Sequence, residues 1–353
     1  MSFDNVLAAQ AECTVRRATA TDRIAWQEYL DRFAGPALGN RWEWEEVYDV
    51  YGLQVERLIA LRVDQVVGVV SLVCQRSMVF GRQLVSLPWL DAAGVLAADE
   101  AAEQALLDAV VQLANKQGVD TVQLRQLQPL QSWQQPRTDK VLMQLDLPAS
   151  SQELWKSFAP KVRNQVRKAE KSGLRYTAAD SQSLAEFFDV YSRNMRDLGS
   201  PSHSRHLLQR VCQVFGDDAS LHLVRLDGKT IGAGLTLANG TALEIPWASS
   251  LRGYNRYCVN HLLYWNILRG ACQVGFRMFR FGRSTTGSGT YQFKKQWGAA
   301  PTTLYWYTRD GTGKPVESRH RPEEGFSLAR RVWQRLPVPL TRWLGPQVIA
   351  KVA

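Results

Sequence analysis

The sequence predicts an α+β protein made of two tandem domains of similar plan, and three observations carry that prediction. Strand-length apolar runs joined by short turns, then a long amphipathic helix, then a further strand, occur once in each half of the chain. Three short motifs recur in the same order: Leu61-Arg62-Val63-Asp64 with Val224-Arg225-Leu226-Asp227, Leu87-Pro88-Trp89 with Ile245-Pro246-Trp247, and Gly118-Val119 with Gly275-Phe276. Finally, 353 residues with 45% apolar and 22% charged side chains suffice for two globular cores. The expected division is residues 1–148, residues 149–312, and a basic amphipathic tail over 313–353.

In the first half, Ile24 to Phe33 and Trp42 to Tyr51 read as short helices, stopped by Gly35-Pro36 and Gly52. Strands follow at Arg57–Val63, Val66–Gln75 and Val79–Leu87, the first two joined by a tight turn at Asp64-Gln65. Asp99 to Gln117 is a long helix with Ala102, Leu106, Val110 and Leu113 on one face. Gly118 ends it, and strands are expected at Val119–Arg125 and Val141–Leu147. The second half opens with a capping box at Ser150 to Glu153, then a basic helix from Pro160 to Gly173. Helices at Leu184–Asp197 and Ser204–Phe215 precede strands at Ser220–Leu226, Thr230–Ala238 and Thr241–Trp247. A long helix, Val259–Gln273, leads to a strand beginning at Phe276, and Thr302–Arg309 is the last strand.

A net charge of +10 favours anionic partners such as phosphates, RNA or an acidic membrane surface, without choosing among them. The five cysteines are scattered and contain no Cys-x-x-Cys, as befits free thiols in a reducing compartment. His203 and His206 have no third ligand nearby, so no metal is expected. The N-terminal residues lack a signal-peptide pattern, and no apolar run is long enough to span a bilayer. A cytoplasmic location is expected.

Two stretches carry candidate chemistry. From Phe276 to Ala299, a strand ends at Gly282-Arg283-Ser284, and a Gly/Ser-rich segment leads to Tyr291-Gln292-Phe293-Lys294-Lys295-Gln296-Trp297-Gly298. This sets an Arg and a hydroxyl at a strand tip and a Lys beside aromatics, a cradle for an anion or for charge developing on a carbonyl oxygen. A surface loop with ordinary basic residues is the plain alternative. From Lys161 to Gly173, Val162, Val166 and Ala169 form one apolar stripe, while Arg163, Arg167 and Lys171 form a ladder on an adjacent face. Like charges four apart cost about 0.2–0.5 kcal/mol per pair, a cost that a bound phosphate would offset. The ladder also reads as a solvated helix face.

Together these stretches resemble the FemAB family of aminoacyl transferases, most closely its relatives in bacterial exopolysaccharide and PEP-CTERM (exosortase) gene clusters. The matching residues are the run Lys161 to Gly173, and Phe281-Gly282-Arg283-Ser284 with Phe293-Lys294-Lys295 and Trp297-Gly298. The resemblance implies twin domains of the GNAT acyltransferase fold across most of the chain. It implies transfer of an acyl or aminoacyl group onto an amine of a cell-envelope, peptidoglycan or exopolysaccharide precursor. Lys294, paired with Phe293, would then stabilise the oxyanion or the leaving group. Lys161, Arg163 and Arg167 would hold the phosphates of a nucleotide- or lipid-linked acceptor. Arg283 and Ser284 would line the same cleft, and Trp247 and Tyr254 would pack against a sugar or peptide.

No motif marks a general base. Asp91 and Glu244 are the acids best placed at strand ends, and each also reads as a structural or solvated carboxylate. No resident cofactor is expected, and the donor stays open between aminoacyl-tRNA and acyl-CoA. Leu184 to Phe215 lacks the heptads of a coiled-coil arm, while Arg252 to Val259 lacks the glycines of a pyrophosphate loop. An acyl-CoA-dependent N-acetyltransferase is the second reading. A non-catalytic adaptor binding nucleic acid or membrane is the third, since the basic helix would serve it equally. In the tail, Leu328, Val332 and Leu336 share a helical face flanked by Arg330, Arg331 and Arg335, and Trp343 lies beyond Pro337 and Pro339. That pattern suits either packing on the domains or a peripheral contact with the inner membrane.

Overall fold

The computed structural model describes residues 12–33, 35, 37–77, 81–316 and 323–352. The N-terminal stretch read for a signal peptide, residues 1–11, lies outside the described residues, as do Val79 at the start of the third expected strand and the polar stretch Glu317–Arg321. The chain divides into two compact units. The first comprises residues 1–140, 303–318 and 351–353, and the second residues 141–302 and 319–350.

In the first unit the order is β1 (Thr14–Arg17), α1 (Arg23–Leu30), α2 (Trp44–Asp49), β2 (Val55–Arg62), β3 (Gln65–Ser77), β4 (Gly81–Val85), β5 (Leu96–Ala97), α3 (Glu100–Gln117) and β6 (Thr121–Gln126). Asp99 caps α3 by accepting the Ala102 N–H, and Gly118 ends it in the left-handed region at φ 59°. The buried face of α3, with Ala102, Leu106, Val110 and Leu113, is the stripe expected from sequence. These strands make a sheet in the order β1-β2-β3-β4-β6, with β4 and β6 parallel.

The second unit repeats the plan after β7 (Lys140–Asp146), α4 (Ser151–Ser157) and α5 (Pro160–Lys171). It continues through β8 (Arg175–Ala179), α6 (Leu184–Leu198), α7 (Arg205–Phe215), β9 (Ala219–Leu226), β10 (Lys229–Asn239), β11 (Ala242–Ser250), α8 (Val259–Val274) and β12 (Met278–Thr285). Then come α9 (Gly289–Lys295), β13 (Ala300–Thr303), β14 (Tyr305–Asp310), α10 (Glu323–Arg335) and α11 (Val338–Ile349). Gly275, at φ 97°, ends α8 as Gly118 ends α3, and the strand that follows again pairs parallel with the third hairpin strand. The glycine motif thus occupies equivalent places, and the first motif does so with a shift of one residue, Arg62 and Leu226 each ending its strand before a two-residue turn. The third does not: Pro246 lies within β11, whereas Pro88 follows β4 between Leu87 and Trp89, both at positive φ.

The linear division at residue 148 is not how the strands partition. β7 pairs beside β12 in the second sheet, whose order is β13-β7-β12-β11-β10-β9-β8. β14 pairs antiparallel with β6 in the first sheet. Each half therefore receives its last main strand from the other half of the chain. The tail is likewise no separate domain, because α10 and α11 pack on α6 of the second unit.

Candidate functional site

The second sheet opens at one place, and Pro246 is the reason. β11 and β12 are in parallel register for only three residue pairs, ending at Glu244 and Arg280. Against β10, Leu235 faces Trp247 and Leu237 faces Glu244, so Ile245 and Pro246 oppose the single residue Thr236. This is a β-bulge at a residue that has no N–H to give a neighbouring strand. Beyond it β11 continues along β10 to Ser250, while β12 runs on through Phe281 to Thr285 without a register partner in β11. The two parallel strands part like the arms of a V.

At the tip of β12, Gly282 adopts φ 81°, which turns the chain out of ideal strand geometry. Lys294 fills the turn. Its ammonium donates to the carbonyls of Gly282 at 2.9 Å and Arg283 at 2.8 Å, and the residue is only 9% exposed. The run from Tyr291 to Lys295 lies in a two-turn helix, α9, that starts at the end of the Gly/Ser-rich segment and is capped by Ser288, which accepts the Tyr291 N–H. Helical spacing sets Phe293 and Trp297 against Tyr264 of α8 while Lys294 points back to the strand. Arg283 is exposed and Ser284 buried, as alternation along a strand requires. Among the described residues the Ser284 hydroxyl has no hydrogen-bond partner. A buried polar group left in this state costs about 1–3 kcal/mol, a cost that a contact with water or substrate would relieve.

The basic helix α5 buries Val162, Val166 and Ala169, each fully enclosed, and turns its cations outward. Two of the three ladder cations have neighbours of their own. Arg163 donates to the carbonyl of Lys156 at 3.1 Å at the end of α4, where a cation favours the helix dipole. Arg167 lies 5.6 Å from the centre of the Trp155 ring. Lys161 is exposed and influences His261 on α8.

No sequence motif marked His261. Its ring stacks on Trp297 and meets Phe293 edge-on at 5.4 Å, and its Nε2 is 3.2 Å from the Gln296 amide nitrogen. Burial, aided by the Lys161 charge, pushes its pKa down to about 4, so the imidazole is neutral at physiological pH. The signal available in the sequence was its place in the first turn of a helix that had to cover the Phe-Lys segment. The structure thus brings Lys161, His261, Phe293 and Lys294 to one region of the second unit.

The other candidates make contacts of their own. Trp247 is half-buried with its ring against His203 at 6.0 Å, so part of its surface is already occupied. Tyr254 stands in the turn Arg252–Tyr257 that leads into α8, and its hydroxyl accepts from Lys229 Nζ at 3.2 Å. Exposed Arg252 and Arg256 make this turn cationic beside the positive end of the α8 dipole. Asp91 belongs to the first unit, where its carbonyl accepts from Trp306 Nε1 at 3.3 Å. Glu244 is the clear departure. Arg280 Nη1 donates to it at 2.8 Å and Asn239 Nδ2 at 3.1 Å, with both ion-pair partners nearly buried. An anion locked in this way is built as part of the sheet rather than poised to take a proton.

A split α+β sheet with a buried ammonium at the strand tip defines the class: residues 156–295 match the family model described as an acetyltransferase (GNAT) domain. That domain makes the protein a transferase, and its two mixed sheets are like those of tandem GNAT proteins. The structure is similar to that of FemX, with a TM-score of 0.61 and 15% identity, covering 83% of this chain and 96% of that one. It is similar to a tandem GNAT protein from the clavulanic acid biosynthesis pathway, with a TM-score of 0.54 and 13% identity, covering 87% of this chain and 100% of the other. L-PGS from Bacillus licheniformis is similar as well, with a TM-score of 0.54 and 11% identity over 89% of this chain and 98% of that one. At these identities the likeness is one of fold. No curated protein matches the sequence.

Proposed function

We propose that the protein moves an acyl or aminoacyl group from an activated ester or thioester onto an amine of a cell-envelope, peptidoglycan or exopolysaccharide precursor. The observation that carries this reading is Lys294, a buried ammonium fixed at the tip of β12 where β11 and β12 part. In the reaction the amine nitrogen attacks the donor carbonyl and the tetrahedral intermediate bears an oxyanion. Collapse breaks the bond to the ester oxygen or thioester sulfur, and the leaving group takes up the proton lost by the amine. A fixed cation and a waiting hydroxyl, Lys294 and Ser284, are the groups such an oxyanion requires. An acceptor of α-amino type titrates near 8, so about a tenth is already neutral at pH 7 and no carboxylate base is needed.

The cationic surface of α5, with Lys161 and Arg167 outermost, suits a phosphorylated acceptor, nucleotide- or lipid-linked. FemX and L-PGS, as structural relatives, support the aminoacyl form of the reading. The match to an acetyltransferase domain favours a second reading, an acyl-CoA-dependent N-acetyltransferase in which the turn Arg252–Tyr257 meets the donor's phosphates. Thermal stability against CoA, acetyl-CoA, UDP-sugars, a UDP-linked cell-wall peptide and bulk tRNA separates the two. A ligand of the folded state raises the midpoint. A shift with the UDP-linked peptide, lost in Arg167→Ala, supports the aminoacyl reading, whereas a shift with CoA alone supports the second. Absence of transfer with every donor and acceptor pair rejects both.

A further inference from the structure

We infer that the α10–α11 hairpin is a docking surface for an anionic lipid bilayer, holding the second unit at a membrane without crossing it. The inference goes beyond the transfer reaction and stands whichever group is transferred. Large apolar side chains left open to solvent gather here: Leu328 is 65% exposed, Val332 52%, Leu340 37%, Trp343 65% and Val348 38%. Scattered single exposures are ordinary on a protein surface, but five on two adjoining helices are not.

Their placement follows from how the helices are seated. On α10, Arg330 and Gln334 donate to the carbonyls of Leu198 and Asp197 at the end of α6. Leu328 and Val332 are each two residues from a seating residue, about 160–200° around the helix, and so face away from the domain. On α11, Arg342 pairs with Asp189 at 2.5 Å, and Thr341 and Gly345 are buried. A Cβ at Gly345 would lie 2.8 Å from the Ser202 carbonyl, so the helix backbone lies directly against the domain. Trp343 stands two residues from both Thr341 and Gly345 and is turned outward. The row is therefore presented on a firmly held support.

Charge names the occupant. From Phe326 to Ala353 the sequence has Arg330, Arg331, Arg335, Arg342 and Lys351 and no Asp or Glu. Arg331 and Arg335 are exposed beside Leu328 and Val332. Leucine, valine and tryptophan flanked by arginines match the boundary between acyl chains and acidic headgroups. A nucleic acid would satisfy the arginines alone, and a second copy of this chain would bring like charge against like charge. No described helix is long and apolar enough to cross a membrane, so the contact would be interfacial.

The test is sedimentation of the full chain with sucrose-loaded vesicles of phosphatidylcholine alone and of phosphatidylcholine with phosphatidylglycerol, at low and high salt. The wild type should bind the anionic vesicles strongly and the neutral ones weakly. Arg331→Gln with Arg335→Gln should lower the anionic partition about thirtyfold, roughly five- to sixfold for each cation, and should flatten the salt dependence. Leu328→Ser with Trp343→Ser should lower binding tenfold or more, with the unfolding midpoint unchanged because these side chains are exposed. Lys294→Met should bind vesicles like the wild type, which separates this inference from the catalytic one. Failure of the wild type to bind either vesicle overturns it. So does wild-type binding by both surface variants, a wild-type dimer that Leu328→Ser with Trp343→Ser converts to monomer, or displacement of the protein from vesicles by tRNA at equal charge.

Discussion

Arg280→Met and Glu244→Gln should each destabilise the second unit by about 3 kcal/mol, and neither should remove the chemistry. The pair is close at 2.8 Å, with side chains 6% and 14% exposed. Two unit charges at that distance attract by about 6 kcal/mol at an effective dielectric of 20, and desolvation of the two ions cancels much of this. The intact pair is therefore worth little, but an uncompensated buried charge costs about 3–5 kcal/mol. In Arg280→Met the Glu244 carboxylate keeps the Asn239 donor, which puts the expected loss near the lower end, about 3 kcal/mol. In Glu244→Gln the amide oxygen still accepts from Arg280, but the guanidinium becomes the uncompensated buried charge, so the expected loss is again near the lower end, about 3 kcal/mol. Urea unfolding with a common slope would measure both, and transfer turnover would be followed beside it well below the unfolding midpoint. If Glu244→Gln abolishes turnover while its unfolding midpoint stays that of the wild type, Glu244 is the base and the argument from the ion pair is refuted.

Other perturbations bear on the strand tip and on the buried histidines. Lys294→Met, which keeps the chain length but removes the charge, should lower turnover about 10²–10³-fold if the ammonium stabilises an oxyanion; turnover within threefold of wild type would reject that role. Gly282→Ala forces a Cβ onto a residue at φ 81°, costing about 1–2 kcal/mol and shifting the carbonyls that hold Lys294. Its turnover should fall together with its thermal midpoint. His222 and His203 are buried, and burial alone pushes their pKa values down to about 4 and about 3. Each ionises more readily in the unfolded chain, near 6.5, so the stability they contribute is complete above about pH 6.5 and is lost as pH falls toward those folded values. For His222 the loss is on the order of 3 kcal/mol, to be read from urea unfolding at pH 7 and pH 4.5 in wild type and His222→Gln.

What could be read from the chain, and what could not, divides by the distance over which each feature is encoded. Helix stops at Gly118 and Gly275 and the hairpin turns are local, the first turn falling at Val63-Asp64, one residue before the expected Asp64-Gln65, and the second at Asp227-Gly228; β2–β3, β9–β10, α3 and α8 stand close to where the periodicity put them. The edge strands β1 (Thr-Val-Arg-Arg) and β8 (Arg-Tyr-Thr-Ala-Ala) were missed because they are largely exposed and carry no alternation to recognise. The exchange of β7 and β14 is invisible for a stronger reason. Each is a short apolar strand with the same local signature whichever sheet receives it, and the choice is made by pairing across more than a hundred residues. The site divides the same way. Lys294 and Phe293 belong to one short run and could be singled out, whereas Glu244 could be judged only against Arg280, 36 residues on, and His261 only against a helix that follows it by some thirty residues. A carboxylate at a strand end is ambiguous in sequence because the partner that would silence it is supplied by the fold.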